Sequence, residues 1–304
     1  MKNVLILGFG RIAITHTSQI VGLLGAKNVN LTVVDPSFIA RSICKVLYPS
    51  SSRFKALSEL RKRIGSMQFD YAVVCVPPTH RDDLLSELAN VKGKVLVEKP
   101  VGRLFRAEWQ SGYVLQHAPL NIEINSMLSA ETIESINMDF NTNIDFSKNA
   151  SGNWRRSSKV SIITEFFGHL LTLLFSTLPV SNREVQDWEV FKISDNEITV
   201  KLIINDLPVN VRMLGNNANY RKADYCIRYD CKKSSYEYNI YSLKKDGNII
   251  SSIADNGVNT NFYLRGFDFA QQAEAFLSGS GDVLDHCLIL NIEKLIEDIG
   301  LACE

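Results

Sequence analysis

The stretch VLILGFGRIAI (4–14) constrains this chain more than any other: an apolar run breaks at Gly8 and Gly10 and resumes with helical spacing. A run of four apolar residues bounded by a turn reads as a strand buried on both faces, and glycine permits the tight turn out of it. The same alternation recurs at LTVVD (31–35), YAVVCV (71–76) and KVLVE (94–98), with helical patterns from about Ile12, near 38–47 and from about Arg81. Short Val/Ile/Leu-rich strands separated by helices require a parallel sheet covered on both sides. The expected first domain, residues 1–122, is therefore a doubly wound α/β unit of the Rossmann type.

From about 184 to 252 the texture changes to alternating runs such as EITVKLII, LPVNVRML and ADYCIRYD, separated by the turn signals SDN, NDLP, GNN and KKDGN. Strands joined by short turns indicate a mostly antiparallel sheet. The end, from about Asp268 to Leu301, has helical spacing interrupted by SGSGD (278–282). Residues 123–304 are thus expected to form an α+β domain that binds substrate and joins subunits. A sheet of at least five strands with no helical pattern inside it has one face in need of cover, so a homodimer or homotetramer through that sheet is expected.

Charge excludes some partners. The chain has 33 basic and 33 acidic residues, which argues against nucleic acid or an anionic membrane as its main partner. The balance is uneven along the chain: residues 1–122 carry 16 basic and 8 acidic groups, and 123–304 carry 17 and 25. A basic first half suits an anionic cofactor. The six cysteines show no C-x-x-C spacing, so neither a zinc site nor a redox pair is indicated. The opening apolar run is broken by glycines and lacks a signal-like cleavage site, and the longest later one, IITEFFGHLLTLLF (162–175), carries Glu165 and His169 and is too short to span a bilayer. A soluble cytoplasmic protein acting on a small molecule is the expectation.

The chemistry begins at GFGRIA (8–13). Gly8 makes the turn, Gly10 lets backbone approach a pyrophosphate, and Ala13 permits close packing of helix on strand. A bare glycine pattern is a weak signal. Here a strand precedes it, a helix follows it, and Asp35 closes the second strand 22 residues after Ala13, where a carboxylate takes both ribose hydroxyls. That carboxylate would repel a 2′-phosphate, so the expected cofactor is NAD, with NADP second. Gly8, Phe9, Gly10, Arg11, Ile12 and Asp35 are the first cofactor residues. Val76, Pro77 and His80 follow from VCVPPTHR (74–81), whose prolines force the chain out of the sheet at its carboxyl edge. The same edge receives Glu98 and Lys99 of VEKP, and a cis Lys99–Pro100 bond is compatible with that spacing.

GFGRIA, Asp35, VPPTH and VEKP followed by Val101 resemble, in order and spacing, the Gfo/Idh/MocA oxidoreductases, relatives of glucose-fructose oxidoreductase and inositol dehydrogenase. Fainter similarity continues through GNWRR (152–156), ITEFFGHLLTLL (163–174) and Phe269-x-x-Gln-Ala-x-x-Phe276. The resemblance implies hydride transfer between a nicotinamide and a sugar, polyol or sugar derivative, with Lys99, His169 and Glu165 as the catalytic set. It also implies substrate contacts from Asn125, Arg155 and Arg156 beside those three. The chain departs from the family at the helix: where the pattern has Asp-x-Gly-x-His and a later Asp, this sequence has Glu165, Phe167, His169 and Thr172, and Met127 stands where an arginine is usual. Glu165 and His169 are four apart, so on a helix they share one face. Two other readings stay open: a catalytically silent NAD-binding partner or sensor, and a reductase of imines or amino-acid-like substrates with Arg155 on a carboxylate. Tyr241 and Lys245 form a Y-x-x-x-K, but they fall among the antiparallel strands and are read as chance.

Overall fold

The apolar runs of the first half become the strands of one sheet. The computed structural model describes residues 1–64, 68–88, 92–147, 161–179, 181, 183–218, 224–239, 241–253 and 260–303. In chain order the elements are β1 (Lys2–Leu7), α1 (Arg11–Leu24), β2 (Val29–Val34), α2 (Phe38–Leu47), β3 (Ser52–Phe54), α3 (Leu57–Ile64), β4 (Tyr71–Val74), α4 (Arg81–Leu88), β5 (Lys94–Val97) and β6 (Gln110–Ser111). The six strands are all parallel, in the order β3-β2-β1-β4-β5-β6. Four consecutive residues at the end of β1 and all of β4 are buried, as a sheet sandwiched between helices demands. The strand order reverses between β1 and β4, and ligands of such sheets bind beyond the strand carboxyl ends at that reversal.

The second sheet follows from α5 (Asn121–Leu128), β7 (Ile133–Asn141), a π-helical turn (Ile163–Phe167) and α6 (Gly168–Thr177). Its other strands are β8 (Val185–Ser194), β9 (Glu197–Ile204), β10 (Leu207–Leu214), β11 (Asp224–Cys231), β12 (Ser235–Asn239), β13 (Ser242–Lys245) and β14 (Asn248–Ser252). The chain ends in α7 (Thr260–Ser278) and α8 (His286–Ala302). The eight strands lie in the order β14-β13-β12-β11-β7-β10-β9-β8. Every pair is antiparallel except β7 with β10. The sheet is therefore two hairpin blocks held together through β7, not one continuous meander.

Local chemistry sets the hairpins. Asn205 and Asp206 have φ of 49° and 64°, and Asp246 and Gly247 have 50° and 82°, the left-handed pairs that two-residue turns between twisted strands require. Along β10, Leu207, Val209, Val211 and Met213 point inward while Pro208, Asn210 and Arg212 face out. Leu171, Leu174, Ile292 and Ile299 of α6 and α8 are buried as well, and these two helices pack on each other.

Two compact units result: Met1–Val114 with Phe269–Asp282, and Leu115–Asp268 with Val283–Glu304. The last part of α7 thus packs with the parallel sheet. Tyr71 Oη and Lys94 Nζ both donate to the Leu277 carbonyl, at 3.4 and 2.6 Å, and Phe276 meets the Tyr71 ring edge-on. Packing and sequence texture divide the chain differently. No described helix is long and apolar enough to cross a membrane.

Candidate active site

The glycine turn is built as its sequence suggests, but its two glycines do different work. Gly8 has φ +80°, and a Cβ there would lie 2.8 Å from the Cys75 carbonyl oxygen, so no other residue fits without strain. Gly10 has an ordinary backbone (φ −80°), and a Cβ there would meet nothing within 4 Å. Space is therefore kept in front of Gly10. Immediately behind it α1 starts with no side-chain cap and no acidic residue in its first turn. Uncapped first-turn amides plus the positive end of the helix dipole make a place for an anion. Ala13 is fully buried where α1 meets the sheet, and Arg11 and Ile12 occupy the exposed and half-buried sides of that first turn.

Asp35 is tied into this loop. Its Oδ2 accepts the Phe9 amide at 2.6 Å and its Oδ1 accepts the Ser37 amide at 2.7 Å. A carboxylate has about four acceptor positions, so both oxygens keep capacity for ribose hydroxyls. Arg41 stands on the same side, with Nη1 donating to the carbonyls of Asp35 and Pro36 at 2.5 and 2.9 Å. An arginine beside the acidic residue is the group that accommodates a 2′-phosphate. The loop thus carries a carboxylate suited to ribose hydroxyls and, on the next helix, a guanidinium suited to a phosphate.

On the other side of β1, the Cys75 amide donates to the Leu7 carbonyl at 2.7 Å, and the Val76 carbonyl accepts Arg81 Nη2 at 2.6 Å. Burial pushes the Cys75 thiol well up, with the Glu98 charge adding to it. Val76 and Pro77 are half-buried, and His80 is exposed at the end of a 3-10 turn (Pro78–His80). Beyond β5, the Glu98 amide continues the ladder to Val74 at 2.9 Å, Lys99 is half-buried, and Lys99–Pro100 is cis.

The structure adds residues that the motif reading missed. Glu98 is only 8% exposed, and His16 Nε2 bonds its Oε1 at 2.7 Å. The signal was present: Ala13, His16, Thr17 and Ile20 form the buried stripe of α1, and a histidine in an otherwise inward stripe calls for a partner. Gly112 is a second omission, since a Cβ there would lie 2.6 Å from Glu98 Cα. Gln272 is the third. It accepts from Gln110 Nε2 through its carbonyl and donates to the Ser111 carbonyl at 3.1 Å.

In the second unit Glu165 lies in the π-helical turn and His169 is the second residue of α6; both are half-buried. A π turn interrupting an α-helix is frequent at functional sites. It winds more slowly than an α-helix, so residues four apart still fall on one side. Phe166, between them in sequence, packs on Phe140 with ring centroids 4.6 Å apart. Thr172, at the position where the family pattern has an aspartate, donates to the Gly168 carbonyl of its own helix at 2.9 Å. Asn125, expected at a substrate, donates its amide to the Thr177 carbonyl at 3.1 Å, which ties α5 to the end of α6. Arg155 and Arg156 lie outside the described residues. Among the described residues no group of three or more His, Cys, Asp or Glu is arranged to hold a metal.

The parallel sheet with its glycine turn, together with the second, mostly antiparallel sheet, gives a Rossmann-type α/β plus α+β fold class. Solved structures bear out that class at the level of fold. The chain superposes on a dehydrogenase (MviM) from Clostridium difficile with a TM-score of 0.72, 15% identity and 99% of each chain covered. It superposes on levoglucosan dehydrogenase in complex with NADH at 0.76, with 10% identity, 99% of this chain and 96% of that one. An oxidoreductase from Agrobacterium radiobacter in complex with NAD+, L-tartaric acid and magnesium gives 0.73, with 12% identity, 97% of this chain and 94% of that one. No family model and no curated protein matches the sequence.

Proposed function

We propose that this chain is an oxidoreductase of the Gfo/Idh/MocA type, moving a hydride between NAD and a carbinol or carbonyl carbon of a sugar, polyol or sugar derivative. The observation that carries the reading is the clear space before Gly10 at an uncapped helix start, with Asp35 fastened to the same loop. The amides at Gly10, Arg11 and Ile12 would hold the pyrophosphate and Asp35 the adenosine ribose, while Val76, Pro77, His80 and Glu98 border the nicotinamide half. Bound there, NAD supplies the hydride acceptor or donor. The protein supplies the proton path. Lys99 donates a hydrogen bond to the substrate oxygen, His169 takes or returns its proton, and Glu165 orients the imidazole. Arg155 and Arg156 are proposed as grips for anionic or hydroxylated parts of the substrate.

The Arg41 placement makes NAD over NADP a proposal to be measured. Six free thiols suit a reducing cytoplasm. Assembly through the eight-stranded sheet, as dimer or tetramer, belongs to the same reading. The outward face there carries exposed Asn210, Arg212 and Arg228, with Arg212 and Arg228 ion-paired to Glu197 and Glu237, so such an interface would be polar. Light scattering at micromolar concentration decides it, and a monomer removes the claim.

One observation favours the rival reading of a silent NAD-binding partner: Asn125 and Thr172 spend their side chains on helix carbonyls. Titration with NADH followed by a panel of sugars, polyols and carboxylated analogues separates the readings. Cofactor binding with turnover of a polyol or sugar supports an enzyme, and binding without any turnover supports the partner. Turnover confined to carboxylated compounds would support the amino-acid-like alternative.

A further inference from the structure

We propose that His16 is a positioning residue: from inside α1 it holds the Glu98 carboxylate, and through it sets the cofactor-facing end of β5 from which Lys99 departs. The inference rests on the dinucleotide reading above and extends it to a residue outside every motif. The pair is deeply enclosed, with side chains 2% and 10% exposed and a 2.7 Å contact from Nε2 to Oε1. Burying a carboxylate is costly unless it is hydrogen-bonded, so the contact does more than fill space. Three further constraints close around it. Phe269 lies edge-on to the imidazole at 5.6 Å, the Glu98 amide is fixed to Val74, and Gly112 leaves no room for Glu98 to retreat. With Oε1 taken by His16, Oε2 is the acceptor left for a ribose hydroxyl.

The geometry joins two jobs in one rigid element. The first turn of α1, from Arg11, faces the proposed pyrophosphate site, and His16 on the same 14-residue helix holds the residue before Lys99. A helix shifted at its start would carry the lysine's support with it. Cofactor seating and lysine placement are therefore mechanically linked within the first unit.

The test is NADH titration by fluorescence on the full chain, with heat melting of every variant. His16→Asn is too short to reach Glu98, whereas His16→Gln places an amide nitrogen near the Nε2 position. His16→Asn should weaken NADH binding about tenfold, as expected when a buried carboxylate loses its partner, and His16→Gln should restore it to within about threefold. In a Glu98→Ala background His16→Asn should add nothing further. His16→Leu, which keeps the packing against Phe269, replaces the asparagine variant if that one does not fold. Equal affinities in all folded variants overturn the positioning role, as do losses from His16→Asn and Glu98→Ala that simply add. An intact protein that binds neither NADH nor NADPH removes the dinucleotide reading itself, and the His16 role with it.

Discussion

The two units put their proposed function into different parts of the polypeptide. In the parallel-sheet unit the proposed cofactor features are mostly backbone: a left-handed Gly8, an unobstructed Gly10 and the uncapped start of α1. In the other unit the proposed features are side chains, Glu165 and His169, carried on a π turn and the helix after it. Backbone function is dictated by short-range sequence, because glycine position and strand–helix alternation suffice to form it. Side-chain function depends on which distant elements pack together. The first kind tolerates drift to low identity, and the second is where this chain departs from the pattern it resembles.

Lys99 breaks that contrast most directly, as a side chain in the backbone-driven unit. Lys99→Ala should cut turnover by roughly a hundred- to ten-thousand-fold, the usual cost of losing a positioned proton-transfer group, while NADH affinity stays unchanged. Stopped-flow turnover beside a fluorescence titration measures both, and near-normal turnover would reduce VEKP to a structural strand end.

The glycines sharpen it next. Gly10→Val should lower NADH affinity at least about tenfold, near 1.4 kcal/mol, with an unchanged melting temperature, since the protein itself leaves that space open. Gly8→Ala should instead destabilise the fold by about 1–2 kcal/mol from the left-handed backbone alone, with the Cys75 clash added. If both variants behaved alike in melting, the division of labour between the two glycines would be wrong.

A smaller effect is expected at Asp35. Asp35→Ser should narrow the difference between NADH and NADPH affinities, because the carboxylate that would repel a 2′-phosphate is gone while Arg41 stays fastened to the main-chain carbonyl of residue 35. Equal affinities in the unaltered protein would count against the ribose assignment. The smallest effect tests the second unit's core: Tyr238 donates to Asn121 Oδ1, which in turn anchors the Leu115 and Gln116 carbonyls through its amide. Tyr238→Phe should cost about 1 kcal/mol in urea unfolding and leave NADH binding untouched.

Legibility followed the same division. β1, β2, β4 and β5 stood out because each carries a nearly continuous Val/Ile/Leu/Ala stretch, and α1, α2 and α4 because helical spacing follows them, whereas α3 was not read. β3 and β6 did not, since Ser52–Phe54 and Gln110–Ser111 are edge pieces of three and two residues with no apolar run. β7 was missed for another reason. Its alternation of Ile136, Met138 and Phe140 is plain in IESINMDFN, but it sits apart in sequence from the strands it joins, and its parallel pairing with β10 is set by tertiary packing. The π turn around Glu165 leaves no compositional trace. At the site, the glycine turn and Asp35 were legible, and His16, Gly112 and Gln272 were not, because their partners lie 82, 14 and 161 residues away.

The return of Phe269–Asp282 to the first unit governs how that unit can be made. Its parallel strands are finished by residue 111, yet the Ser111 amide waits for Asp282 Oδ2 and the Tyr71 ring for Phe276. On a ribosome, chain growth at about 5–20 residues per second leaves the unit unfinished for the time needed to make some 170 further residues. The parallel-sheet unit thus begins before the other unit and closes only after most of that unit has been made. A fragment ending near residue 122 would keep GFGRIA, Asp35, VPPTH and VEKP and still expose the apolar seat of Phe276, and this favours expression of the whole chain over an excised parallel-sheet unit.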